Sequence, residues 1–94
     1  MMLKFHKVDE TLDYGKLAAV LGEIVAEREH QIAKHGNQTM PPPHWMVVLN
    51  EETGEANRAI CEDQPHQYRA ELVQAATVIV AMILDHDKRG HLYG

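Results

Sequence analysis

The fold is decided by the stretch EETGEANRAICEDQPHQYRAELVQ, which spans residues 51–74. At roughly 100° per residue, Glu51, Glu55 and Glu52 lie at about 0°, 40° and 100° on a helix, so the three carboxylates share one side. Glu52 lies within the apolar stripe of this helix, where a glutamate that only faces solvent is unexpected. That stripe occupies about 60° to 180° of the same wheel and consists of Trp45, Val48, Leu49, Ala56, Ala59 and Ile60.

The segment Glu62-Asp63-Gln64-Pro65 is predicted to turn the chain back on itself. Reflecting positions about residue 63 places Glu55 opposite Glu71 and Glu52 opposite Gln74. The two facing pairs are three residues apart, or roughly 4.5 Å along the helix axis. Because hard oxygen ligands suit Mg²⁺, the spacing predicts one Mg²⁺ site or two adjacent ones, with Mn²⁺ as a possible substitute. The predicted ligands are Glu51, Glu52, Glu55, Glu71 and Gln74.

The rest of the chain also has helical periodicity. Apolar residues Leu17, Val20, Leu21 and Ile24 recur at helical spacing and Gly36 is a natural stop, which predicts a first helix over about 14–35. A second helix is predicted from Pro43 to about Cys61, and a third from about His66 to about Asp87. No segment alternates as a strand does. We therefore expect an all-α bundle of three main helices in a single domain, 1–94, with a core over about 14–87 and polar termini at 1–13 and 88–94.

Composition restricts the partners. The net charge of −5 over 94 residues argues against a nucleic-acid polymer. Cys61 is the only cysteine, so an intramolecular disulfide is excluded, and it is interpreted as a small helix residue rather than a nucleophile. The N-terminus lacks the apolar core of a signal peptide, which predicts a cytoplasmic location.

The longest apolar run, Ala75 to Leu84, has ten residues including Thr77. This is well below the roughly 20 that span a bilayer, so no membrane partner is expected. The run is apolar on every side of a helix, which indicates deep burial or a subunit contact. In so short a chain, this pattern predicts homo-oligomerisation.

The apolar stripe of the first helix continues into polar residues. Beyond Ile24 the same face carries Arg28, Gln31, Ile32 and His35, which is typical of a cavity or interface, although long side chains that cover the end of the domain are an alternative. A tryptophan near the start of a helix is more often a core residue than a platform for a nucleotide base. Stacking on a base is the alternative for Trp45, because Gln38 and the polar end of the first helix are close to it in sequence. The seven histidines form no i,i+4 pair on one helix, so a zinc site is not expected, and His86 and His91 are interpreted as solvated.

The acidic pattern resembles that of a known group. Glu51-Glu52-x-x-Glu55 followed by Glu71-x-x-Gln74 resembles the Glu-Glu-x-x-Glu and Glu-x-x-Asp signature of the all-α nucleoside triphosphate pyrophosphohydrolases, the MazG-like superfamily. The segments Glu27-Arg28-Glu29-His30-Gln31 and Lys34-His35-Gly36-Asn37-Gln38 resemble its small phage and bacterial branch. The resemblance covers about residues 14–84, with Gln74 standing where the family has Asp.

The resemblance implies a helical, dimeric or tetrameric hydrolase that holds Mg²⁺ through its acidic signature. Such an enzyme cleaves a nucleoside triphosphate between the α and β phosphates, giving the monophosphate and pyrophosphate, an activity that would clear unwanted deoxynucleotides. Glu52 or Glu55 would accept the proton of the attacking water. The phosphates or base would be contacted by Arg28, Gln31, Lys34, His35, Gln38 and Trp45.

Two other classes compete with this hypothesis. One is a non-catalytic helical homo-oligomer that binds nucleotide or a protein partner and keeps a residual metal site; the amide Gln74 favours it. The other is a purely structural assembly protein, which leaves Glu52 within an apolar stripe unexplained.

Overall fold

The computed structural model describes residues 11–89, which form three α-helices and no strand. They are α1 (Tyr14–His35), α2 (Pro42–Cys61) and α3 (Pro65–Arg89). The predicted all-α class is therefore confirmed for this part of the chain. The predictions for 1–10, for 90–94 and for His91 lie outside the described residues.

Each helix begins and ends where the local chemistry favours it. The Asp13 carboxylate accepts a 3.0 Å hydrogen bond from the backbone N–H of Lys16 and caps α1. Gly36, with φ of 79°, ends α1 by donating its N–H to the carbonyl of Ile32. Proline occupies the first position of both α2 and α3, where its missing N–H costs nothing. As a result each of these helices starts one residue before the predicted start.

The turn between α2 and α3 reverses the chain in three residues. Asp63 takes a left-handed conformation with φ of 54°, which aspartate tolerates better than most residues. The N–H of Asp63 donates to the carbonyl of Ile60, and that of Gln64 donates to the carbonyl of Ala59. These bonds satisfy the last carbonyls of α2, and α3 then returns along α2.

α3 is the central helix. It packs against both α2 and α1, whereas α1 and α2 do not pack against each other within residues 11–89. The main buried cluster consists of Trp45, Val78 and Ala81, with Met40, Val48, Leu49 and Met82 against it. Ala56, Ala59 and Ala75 are also buried. A side-chain ion pair between Arg69 and Glu23, at 2.6 Å, ties α3 to α1. The open space between α1 and α2 is what creates a cavity.

The apolar run Ala75–Leu84 is divided between two environments. Ala75, Val78 and Ala81 are buried with Thr77, whose hydroxyl donates to the carbonyl of Val73 at 2.7 Å. Other members, Ile79, Ile83 and Leu84, are 43–58 % exposed. No helix of the described chain is long and apolar enough to cross a membrane.

Candidate metal centre and adjoining cavity

Three glutamates from two helices converge on one point. Glu52 and Glu55 lie on successive turns of α2 and face α3, where Glu71 lies opposite them. One carboxylate oxygen from each lies within 4.8 Å of the others. Glu71 is buried, Glu52 is half-buried and Glu55 is exposed, so the cluster extends from the interior to the surface. This is the only cluster of three or more such candidate ligands in residues 11–89, and no histidine belongs to it.

Glu71 is the innermost acid, and its two oxygens have different surroundings. Oε1 accepts a 2.6 Å hydrogen bond from the side-chain amide of Gln67, one turn earlier on α3. Oε2 is buried and receives no hydrogen bond from any described residue. A buried carboxylate oxygen without a donor is costly. A divalent cation would satisfy it, and the oxygen donors of the cluster are those that Mg²⁺ and Mn²⁺ bind.

Two carboxyl groups in this cluster of crowded like charges have raised pKa values. Burial raises the pKa of Glu52 to about 7, helped by repulsion from Glu55 and Glu71. The pKa of Glu55 is raised chiefly because its protonated form can donate a hydrogen bond to Glu71 and because the Glu71 charge repels its own. Without a cation the cluster therefore holds protons at pH values where isolated glutamates have lost them. A cation that replaces those protons would relieve the repulsion.

Glu51 is not part of this cluster. It is exposed on α2, one position away from the face that Glu52 presents to α3, and it is absent from the group of converging ligands. Its charge still acts over a distance, since it raises the pKa of both Glu52 and Glu55. The structure therefore brings together three of the predicted acids and leaves this one outside.

Gln74 has a different partner. Its Oε1 accepts a 3.2 Å hydrogen bond from Nε2 of Gln31, which connects α3 to α1. Glu52 and Gln74 nevertheless line the same cavity, as the reflection about residue 63 predicts for a facing pair. The assignment of Gln74 as a metal ligand stays a prediction.

A cavity of about 420 Å³ opens beside Glu52 in the space between α1 and α2. Ligand sites for small molecules typically have volumes of this order. All six residues that the sequence predicts to contact a substrate line this cavity: Arg28, Gln31, Lys34, His35, Gln38 and Trp45. Of the acid cluster only Glu52 lines this cavity, whereas Glu55 and Glu71 line a smaller neighbouring one. The wall formed by α1 carries the basic residues together with the acidic Glu27.

Arg28 is the basic residue of the cavity wall whose side chain is held by a hydrogen bond. One terminal nitrogen donates to the Asn37 side chain at 2.9 Å, which holds the guanidinium at the loop that follows α1. Its Nε is buried and has no partner among the described residues. This unsatisfied donor lies beside the cavity, where an anionic ligand would be stabilised.

Trp45 is mainly a core residue. It is 7 % exposed, and its indole N–H donates to the carboxylate of Asp85 at 2.7 Å. The same carboxylate accepts from the backbone N–H of Met40 at 3.1 Å and from the Arg89 side chain at 3.0 Å. These donors lower the pKa of Asp85, with the Trp45 bond as the largest cause. Trp45 therefore forms part of a fixed cavity floor.

Sequence reasoning missed two polar residues that organise the site. Gln67 holds Glu71, and its i,i+4 spacing from Glu71 on a predicted helix was the available signal. Asp85 is buried and holds the floor of the cavity. Its position at the C-terminal end of an apolar run was the only indication, because none of its partners is near it in sequence except Arg89.

Compared with protein-family models, with curated proteins and with solved structures, this chain matches none. The MazG-like resemblance therefore stays a prediction. A function for this chain has to be inferred from the geometry of the acid cluster and its cavity.

Proposed function

We propose that this protein is a Mg²⁺-dependent nucleoside triphosphate pyrophosphohydrolase of the MazG-like kind, which releases a monophosphate and pyrophosphate. The observation that carries the proposal is the convergence of Glu52, Glu55 and Glu71 on one point, with the buried Oε2 of Glu71 lacking a donor. A strongly acidic point beside a cavity with basic walls suits a polyanionic substrate bound through a cation.

The three carboxylates would hold the cation. When bound, Mg²⁺ supplies charge neutralisation on phosphate oxygens and makes a nearby water more acidic, and Mn²⁺ can supply the same chemistry. Glu71 contributes an oxygen fixed by Gln67, and Glu52 and Glu55 complete the set from α2.

Glu52 is the better candidate for the general base. It faces the 420 Å³ cavity, whereas Glu55 faces a smaller one of about 220 Å³ that it shares with Arg58. In this assignment Glu52 accepts the proton of the water that attacks the α phosphorus, and Glu55 acts mainly as a ligand.

The basic wall would bind the phosphates. Arg28, Lys34 and His35 line the cavity from the C-terminal half of α1. The cationic side chains of Arg28 and Lys34 would attract a polyanionic ligand into the cavity, where its phosphates would be stabilised. Trp45, Val48 and Val78 form an apolar floor for the less polar part of a nucleotide.

We expect the active form to be a homo-oligomer, because one face of α3 is uncovered. Leu72, Ile79 and Ile83 fall within about 40° of one another on the helix and are 43–54 % exposed. An adjoining apolar groove of about 460 Å³ includes Leu49 and Met82. Contiguous exposed apolar surface of this kind marks an interaction site. A homodimer or homotetramer would cover it.

The second candidate is a non-catalytic homo-oligomer that binds nucleotide. The observation that favours it is Gln74, an uncharged residue that is bonded to Gln31 instead of adding a carboxylate to the cluster. Both candidates require nucleotide binding, so only turnover separates them.

Turnover of a nucleotide panel with Mg²⁺ tests the proposal. The purified protein is incubated with canonical and modified nucleoside triphosphates, and monophosphate, pyrophosphate and orthophosphate are each quantified. We expect monophosphate and pyrophosphate to form in equal amounts. A Glu71→Gln variant should form neither product, whereas Glu29→Gln, a control on the exposed surface of α1, should form both. Orthophosphate release would indicate another phosphohydrolase, and binding without products would select the non-catalytic candidate.

A further inference from the structure

The hydrogen bond between Gln31 and Gln74 has no role in the proposed hydrolysis. It joins α1 to α3 at 3.2 Å across a partly buried position, and both side chains line the 420 Å³ cavity. Its remaining hydrogen-bonding groups are therefore candidates for contact with a ligand.

An amide pair joined by one hydrogen bond always leaves a donor beside an acceptor. Each glutamine has one carbonyl and one NH₂ group, and the bond uses the NH₂ of Gln31 and the carbonyl of Gln74. The carbonyl of Gln31 and the NH₂ of Gln74 remain. A sugar hydroxyl both donates and accepts, so it can satisfy the two at once.

The position of the pair along the cavity matches the sugar of a nucleotide. Gln74 follows Glu71 by three residues, or roughly 4.5 Å along α3, and Val78 in the apolar floor follows Glu71 by seven, or roughly 10 Å. The sugar of a nucleoside triphosphate lies between its phosphates and its base. Glu52, the acid that lines this cavity, faces Gln74. The sugar is joined directly to the α phosphate that Glu52 would address, so the amide pair lies within reach of the sugar.

We propose that the Gln31–Gln74 pair is the sugar-recognition element of this site and binds a hydroxyl of the nucleotide sugar. The proposal rests on the nucleotide-binding part of the proposed function and not on hydrolysis. It also gives Gln74 a role that an aspartate could not fill, since a carboxylate lacks the NH₂ donor.

The expected effect is large because the pair is partly buried. A ligand without the hydroxyl leaves a donor and an acceptor unsatisfied, which costs roughly 10- to 100-fold in affinity. A Gln74→Leu or Gln31→Leu variant keeps a single glutamine that is no longer held by its partner, so the donor and the acceptor are no longer fixed side by side. In these variants a nucleotide with and one without the hydroxyl should bind almost equally well.

The test is calorimetric binding of non-hydrolysable α,β-methylene nucleoside triphosphates with Mg²⁺. Three analogues share one base and carry ribose, 2′-deoxyribose or 2′,3′-dideoxyribose, and a second base is used for comparison. The proteins are the unaltered chain, Gln31→Leu, Gln74→Leu and the matched control Gln64→Leu, which makes the same change in the α2–α3 turn. The rise in melting temperature with Mg²⁺ checks that the variants keep the fold and acid cluster.

The unaltered chain and Gln64→Leu should bind the dideoxy analogue roughly 10- to 100-fold more weakly than the best of the other two. In Gln31→Leu and Gln74→Leu, the ratio between the affinities for the analogue with the hydroxyl and for the dideoxy analogue should fall towards one. An unchanged ratio, a change in base preference instead of sugar preference, loss of the Mg²⁺ response in both variants, or no binding of any analogue would overturn the inference. If sugar discrimination is found but the natural triphosphates yield no pyrophosphate, hydrolysis fails and the sugar assignment stands.

Discussion

The side-chain amide of Gln67 donates a 2.6 Å hydrogen bond to Oε1 of Glu71, one turn later on α3. This bond satisfies one oxygen of a buried carboxylate and leaves Oε2 without a donor at the point where Glu52 and Glu55 converge. An amide carries no charge, so it orients the carboxylate without supplying a counter-charge. Groups that orient a metal ligand in this way are important for affinity.

Loss of the Gln67 amide should weaken cation binding without removing a ligand. In Gln67→Leu we expect the Mg²⁺ dissociation constant to rise about 10-fold or more, because Glu71 is no longer held in one orientation. Calorimetric titration with Mg²⁺, and with Mn²⁺ as a second probe, measures it. The control is Gln64→Leu in the adjacent turn. Equal affinities in the two variants would show that the Gln67–Glu71 bond does not organise the site.

The four acids of the signature should fall into two groups. Glu52→Gln, Glu55→Gln and Glu71→Gln each remove a converging carboxylate, so the Mg²⁺-dependent rise in melting temperature should be lost. Glu51→Gln should keep most of that rise, because Glu51 acts on the cluster only through its charge. Thermal scans with Mg²⁺ and with a chelator make the comparison. Loss of the response in Glu51→Gln alone would place the cation on the outer side of α2.

The cation-free protein should lose stability as the pH rises. The folded state keeps the Glu52 proton to a pKa of about 7, above the ordinary value of 4.5, so folding takes up a proton between these values. The free energy of unfolding should therefore fall from about pH 4.5 to about pH 7, by on the order of 1 kcal/mol after solvent screening. Glu55, whose pKa is also raised, acts in the same direction.

Urea unfolding with a chelator, at about pH 5 and about pH 8, measures this slope. Glu52→Gln should reduce the dependence of the unfolding free energy on pH. This variant should also be more stable than the unaltered chain at the higher pH. Glu23 and Asp85, whose pKa values are lowered, contribute stability that is lost only at more acidic pH. A slope that is the same in Glu52→Gln would show that Glu52 does not hold the proton.

Asp85 should be a determinant of stability even though it lies outside the acid cluster. Asp85→Asn removes a buried charge that accepts from Trp45, Met40 and Arg89. We expect a loss of about 2 kcal/mol, or roughly 10 °C in melting temperature for a domain of this size. Asp87→Asn, exposed on the same helix, is the control. Trp45 fluorescence should change only in Asp85→Asn; equal stability of both variants would contradict the role given to this network.

The exposed face of α3 should determine the oligomeric state. Ile79→Asp introduces a charge in the middle of the Leu72–Ile79–Ile83 stripe, and it should shift the protein to smaller species in analytical ultracentrifugation. Ile60→Asp, on an exposed position of α2, is the control. A stable, folded monomer of the unaltered chain at micromolar concentration would overturn the prediction of a homo-oligomer.

The sequence by itself determined the positions of the helices and the approach of Glu55 on α2 to Glu71 on α3. Helix positions follow from local hydrogen bonding, proline and glycine, so the pattern predicts α1 at its observed bounds and the other helices to within two residues. Because the turn is short and both helices are regular, reflection about residue 63 is enough to place Glu55 against Glu71. When a short turn joins two regular helices, the sequence period therefore predicts which residues of the two helices face each other.

Only the tertiary structure decided which of these groups work together. The angle at which α1 crosses α3 puts Gln31 within hydrogen-bonding distance of Gln74 and leaves a cavity between α1 and α2. Packing also decides that Glu52, Glu55 and Glu71 converge without Glu51 and that Oε2 of Glu71 has no donor among the described residues. Such features depend on helix crossing and on rotamers set by packing between distant residues, and the period of a single helix contains neither.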